Sequence, residues 1–227
     1  MGDPSVTDWL GQRKHPRYPI VAPVLYGLEG SDSVVTVGGW TRDLSEGGAC
    51  LELPDRVEVS ALIRVFLRMD QGGYSTEGRV IWAERPPQTE GGFYGVAISQ
   101  MVSAQHEVLR AFLSRKRMVW QAVVRIPLDC TVTYQVKGQP RSPRQGHTEN
   151  VSRRGLLLRL PSMHASGTSL EVVLHTPHGH LVAGGTVVRV DPREAQTPRE
   201  PIRHGFQFTD ISHATQMTLG RVLAEAR

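Results

Sequence analysis

The chain has 227 residues, with 26 basic against 22 acidic side chains and a formal net charge of +4. That length holds one large core or two ordinary ones, and so even a charge balance excludes a polycationic nucleic-acid arm. No stretch approaches the ~18 uncharged apolar residues of a membrane span, and the opening MGDPSVTDWLGQRK has no apolar signal core, so a cytoplasmic protein is expected.

Taken in chain order, the first informative stretch is RKHPRYP at 13–19. Pro16 and Pro19 oppose a helix, so the segment reads as an extended or turning loop that leads into a strand at RYPIVAPVLY. Such a loop can bring two guanidinium forks, Arg13 and Arg17, to a small polyanion from different sides. DLSEGGA at 43–49 then places a carboxylate, a hydroxyl and two glycines in one turn. Asp43 can accept from N–H donors, Ser45 can meet a phosphate or base, and Gly47 or Gly48 permits close backbone approach. Read more plainly, the same residues are a hairpin turn bonded to its own backbone, and the two readings are compatible.

Short alternating runs follow, and then SAQHEVLRAFLSRKR, a helix with Ser103 as N-cap and an apolar stripe of Val108, Leu109, Phe112 and Leu113. After it come VTYQV, LEVVL and TVVRV, again with a strand period, and a closing helical pattern after Ser212. HTPHGH, with His175, His178 and His180, reads as a hairpin tip rather than a metal site, because no Cys or carboxylate accompanies it. Cys50 and Cys130 have no CxxC partner and are expected to be buried and reduced.

Laid against itself, the chain repeats. RYPIVAPVLY at 17–26 matches RIPLDCTVTY at 125–134, and DLSEGGACLELP at 43–54 matches NVSRRGLLLRLP at 150–161, at offsets of 108 and 107. EGRVIWAE at 77–84 matches GGTVVRVD at 184–191, and FYGVAIS at 93–99 matches RHGFQFT at 203–209 at an offset of 110. A tandem duplication is therefore expected, with domains at 1–114 and 115–227. About a hundred residues of short strands without crossover helices are best accommodated by a closed barrel, whose open end the terminal helix would cover.

Arg13-x-x-x-Arg17, 25 intervening residues and Asp43-x-Ser45-x-x-Gly48 together resemble the signature of the PilZ family. The resemblance implies a mainly β protein, two tandem six-stranded antiparallel barrels each followed by a C-terminal α-helix. It implies cyclic di-GMP as ligand, not as a catalytic cofactor, with Arg13 and Arg17 on phosphate and guanine and Asp43, Ser45 and Gly48 lining the guanine face. In the second copy Arg125, Asn150, Ser152 and Gly155 fill their positions, but Gln121 stands where an arginine is required, so a weaker second site is expected. Arg117 lies further upstream and is a candidate substitute.

No P-loop, GxGxxG, HExxH or GxSxG pattern occurs, which argues for a non-enzymatic protein without catalytic or metal residues. The favoured reading is a ligand sensor that passes its state to the other domain or to a protein partner. Its rival is a PilZ-like adaptor that assembles proteins without binding nucleotide. Sequence-specific DNA binding lacks a recognition helix or basic region.

Overall fold

The computed structural model describes residues 15–28, 37–87, 91–100, 103–116, 122–139, 142–191 and 201–226. The first copy forms a closed antiparallel barrel of β1 (Pro23–Leu28), β2 (Val37–Ser45), β3 (Gly48–Leu53), β4 (Leu62–Arg68), β5 (Gly73–Glu84) and β6 (Gly92–Gln100), in the order β1-β2-β3-β6-β5-β4. Pairing of β1 with β4, from Val24↔Leu67 to Leu28↔Ile63, completes the circle and leaves no open edge. Alternation sends Leu44, Ala49, Leu51, Leu67 and Val96 into the interior, as the period of a strand requires.

α1 (Ser103–Lys116) follows, buries Leu109, Phe112 and Leu113, and is tied to the barrel by Arg110–Glu46 and Lys116–Asp70 pairs, both at 2.7 Å. Two details differ from the sequence expectation. Val108 is 47% exposed, because the buried face is the narrower 109/112/113 set, and the helix begins at Ser103 itself.

The second copy opens with β7 (Ile126–Pro127), which pairs with β9 (Arg144–Ser152). Its barrel is built from β8 (Thr131–Val136), β9, β10 (Gly155–Leu160), β11 (Ser169–Thr176), β12 (Gly179–Val190) and β13 (Ile202–Asp210). The β8–β9 and β9–β10 pairings close it. The copies share irregularities as well as strands: the extra residue that breaks register in β2 is Arg42, and in β9 it is Glu149, at the repeat offset.

α2 (His213–Glu225) is capped by Ser212, whose Oγ accepts from the Thr215 amide at 3.1 Å. Its packing crosses the repeat: α2 lies mainly on β1 and β2 of the first barrel, with contact to β4, and only lightly on its own β12. The backbones approach closely, since a Cβ on Gly38 would collide with the Arg221 backbone, and one on Gly220 would sit 2.8 Å from the Gly39 carbonyl. Trp40, fully buried, donates its indole N–H to the Gln216 carbonyl at 2.9 Å. The second copy's helix thus seals the first copy's outer wall.

Candidate functional site

Tyr18 and Leu44 exchange two backbone hydrogen bonds of 2.9 Å, which pins the segment before β1 against β2. That bridge sets Arg17 beside Asp43, and Nη1 lies 2.5 Å from Oδ1. Both side chains are partly open, 22% and 29% exposed, so the pair contributes little to stability and can be opened. Its chemistry is ready for exchange: the guanidinium can turn to a phosphate, and the carboxylate can accept from two N–H donors. Arg13 lies outside the described residues.

Ser45 and Gly48 form the turn. Ser45 is 4% exposed and donates its hydroxyl to the Gly48 carbonyl at 3.0 Å, while a Cβ on Gly48 would collide with the Val96 carbonyl across β6. Both residues therefore hold the backbone that presents Asp43. At the same turn Glu46 is held below the ordinary carboxylate range by the hydrogen bond from Arg110.

Pairing carries the site onward across the sheet. Asp43 faces Cys50, Cys50 faces Gly95, and Gly95 faces Trp82, so these four side-chain positions share the outer face in one row. The Trp82 ring lies over Gly95, where no Cβ could stand, and remains 37% exposed. Arg42 projects from the bulge with its guanidinium 5.0 Å from the Phe93 ring centre. The Cys50 thiol is pushed up to about 11, first by burial and then by the Asp43 charge, and stays neutral at pH 7. Trp82 and Arg42 join this face only through cross-strand register; nothing in the local spelling of either segment marks them.

The second copy reproduces the frame with weaker chemistry. Arg125 Nη1 stands 3.4 Å from Asn150 Oδ1, an amide in place of the carboxylate. Ser152 donates to the Gly155 carbonyl at 3.2 Å, and a Cβ on Gly155 would strike the Phe206 carbonyl. Arg189 stands where the first copy has Trp82 and pairs with Asp191 at 3.0 Å. Gln121 and Arg117 lie outside the described residues.

The two arginine segments also meet each other. Val21 and Val123 form a parallel bridge, with Val21 N–H donating to the Ala122 carbonyl at 2.8 Å and Val124 N–H to the Val21 carbonyl at 2.9 Å. Elsewhere, the three histidines of HTPHGH are spent separately: His178 contacts Glu225 at 2.5 Å, His175 bonds Thr133 at 2.7 Å, and His180 packs edge-on against His175. Cys50 and Cys130 are buried free thiols. No helix among the described residues is long and apolar enough to cross a membrane.

The PilZ domain model matches the chain twice, at residues 11–115 and 121–225. No curated protein matches the sequence. Among solved structures, the chain is similar to the inhibitor of motility MotI/DgrA of Bacillus subtilis, at 14% identity and a TM-score of 0.40, over 90% of this chain and 94% of that one. It is similar to PlzA of Borreliella burgdorferi in complex with c-di-GMP, at 9% identity and a TM-score of 0.38, over 96% of this chain and 97% of that one. It is also similar to the PilZ domain with c-di-GMP of YcgR from Escherichia coli, at 16% identity and a TM-score of 0.37, over 47% of this chain and 93% of that domain.

Proposed function

The chain belongs to the PilZ domain family, and from that premise we propose that it is a non-enzymatic receptor for cyclic di-GMP that binds its ligand mainly on the first barrel. The observation that carries this reading is the Arg17–Asp43 pair, partly open on the outer face at the head of the row that ends in Trp82. On binding, Arg17 leaves Asp43 for a phosphate. Asp43 then accepts from the Watson–Crick N–H groups of a guanine, and Arg13 supplies a second guanidinium. The exposed Trp82 offers a π-face on which a base can stack. Ser45 and Gly48 act by fixing the turn.

Movement of Arg17 on binding reaches the second copy through the Val21–Val123 bridge, so the receptor changes the relative placement of its barrels or the surface shown to a protein partner. Calorimetric titration of the full chain with cyclic di-GMP tests the proposal. Arg17→Ala and Asp43→Ala should each weaken binding about ten- to a hundredfold. Wild-type affinity in Arg17→Ala would refute the site. Small-angle scattering with and without ligand tests the rearrangement, and superimposable curves would refute it.

An adaptor role without nucleotide has one observation in its favour, and it concerns the second copy alone. There the motif turn is occupied by contacts to the first barrel through Arg153. We assign the second copy this scaffolding part, with Arg125, Asn150, Ser152 and Gly155 as a weaker ligand site.

A further inference from the structure

The two barrels close one end differently. In the first, Tyr26 donates its hydroxyl to Asp55 Oδ2 at 2.6 Å, and Tyr94 donates to the Asp55 carbonyl at 3.0 Å while accepting from the Val57 amide at 3.2 Å. The repeat places Tyr134, Ser162, His204 and His164 at the positions of Tyr26, Asp55, Tyr94 and Val57. His204 keeps part of the arrangement, since Nε2 accepts from the His164 amide at 3.0 Å and Nδ1 faces the Ile202 carbonyl at 2.9 Å. Ser162, however, carries no carboxylate.

Tyr134 is 1% exposed and its hydroxyl has no hydrogen-bond partner among the described residues; the buried His164 Nε2 has none there either. Both residues line a cavity of about 320 Å³, within the size range of small-molecule pockets. Arg144 stands at the cavity where the first copy has Val37, and its Nη1 donates to Ser162 Oγ at 2.7 Å. Val136 and Met163 supply apolar wall, and no Asp or Glu among the described residues lines the space. The second copy has thus lost the exposed carboxylate that served a buried tyrosine, kept the tyrosine and gained a cation at the same place.

We propose that this cavity binds a small organic carboxylate, whose carboxyl group takes the position that the Asp55 side chain holds in the first barrel. It accepts from the Tyr134 hydroxyl and the Arg144 guanidinium, and its apolar body lies against Val136 and Met163. The site is separate from the Arg17–Asp43 face, and its test needs no cyclic di-GMP.

Benzoate is the probe, titrated into the full-length protein by calorimetry and ligand-observed NMR, with benzamide as the uncharged counterpart. Saturable millimolar binding of benzoate is expected, with benzamide weaker by about tenfold or more. Tyr134→Phe and Arg144→Gln should each weaken benzoate by about tenfold. Tyr134→Phe removes a hydroxyl that bonds nothing, so its thermal midpoint should equal or exceed that of the wild type. Ser162→Asp should rebuild the first copy's tyrosine–carboxylate pair, exclude benzoate and raise the midpoint. The proposal is overturned if benzoate shows no saturable binding, if benzamide binds equally well, or if neither Tyr134→Phe nor Arg144→Gln changes the affinity.

Discussion

Arg153, in the turn between β9 and β10, places Nη2 2.7 Å from Oε2 of Glu52 on β3 of the other barrel, with the two side chains 19% and 11% exposed. Glu52 meets His213 with its other oxygen at 3.2 Å, and the Arg153 guanidinium lies 5.5 Å from the Trp40 ring. Arg153 occupies the position of Glu46 in the first copy, so the second copy's motif turn has become an interdomain clamp. Because Glu52 pairs with Trp40 on the β2–β3 hairpin that also carries Asp43, clamp and proposed ligand face share one hairpin.

Breaking that clamp from one side should cost more than removing it whole. Arg153→Ala leaves Glu52 covered with only His213, which is expected to cost about 2–3 kcal/mol, whereas Arg153→Met with Glu52→Gln should recover most of the loss. Thermal unfolding of the full chain reads both, and a wild-type midpoint in Arg153→Ala would show the contact to be energetically idle.

Gly155→Ala and Gly48→Ala should each destabilise by about 1–3 kcal/mol without any ligand, because the added Cβ meets a main-chain carbonyl on the facing strand. Ser152→Ala should cost about 1 kcal/mol through the lost bond to the Gly155 carbonyl. Urea unfolding measures all three. Equal losses in the two copies would mean that the glycine serves the fold in both, whatever either copy binds.

Burial holds the His204 and His164 imidazoles below their ordinary 6.5, with His204 adding repulsion at His164. As pH falls, the unfolded chain takes up these protons first. The stability at stake is therefore fully present above about 6.5 and is lost as pH drops through the lowered folded values. The carboxylates held low by arginine partners, Glu46, Glu58 and Asp129, titrate only at more acid pH. The thermal midpoint should decline between pH 7 and 5, and His204→Gln should flatten that decline; an unchanged slope would remove the pair as its source.

Restoring the missing arginine tests the inequality of the copies. α2 packs on the first barrel, so the test belongs in the full chain, with Arg17→Ala silencing the first site. Adding Gln121→Arg should regain about tenfold in cyclic di-GMP affinity if that residue alone disables the second site. No gain would place the defect in Asn150, in Arg189 at the position of Trp82, or in the docking of Arg153.

The strand period, the turn chemistry and the repeat were legible because they are local or self-referential: alternation marks each strand, and one copy serves as the template for the other. From them came two barrels and two terminal helices; that Arg17 and the Asp43 turn belong together was implied only by the resemblance to the PilZ family, and their ion pair is a tertiary result. The destination of α2 was not legible, since an apolar helix face states that it must be covered and not by which barrel; Gly38 and Gly220 settled that by letting backbones meet. Trp82 joined the face of Asp43 through register across four strands, a relation between residues 39 positions apart that no local pattern encodes. The unpaired Tyr134 hydroxyl likewise exists only in three dimensions. The sequence records the exchange of Asp55 for Ser162, but only folding brings that position against the tyrosine and leaves the space between them open.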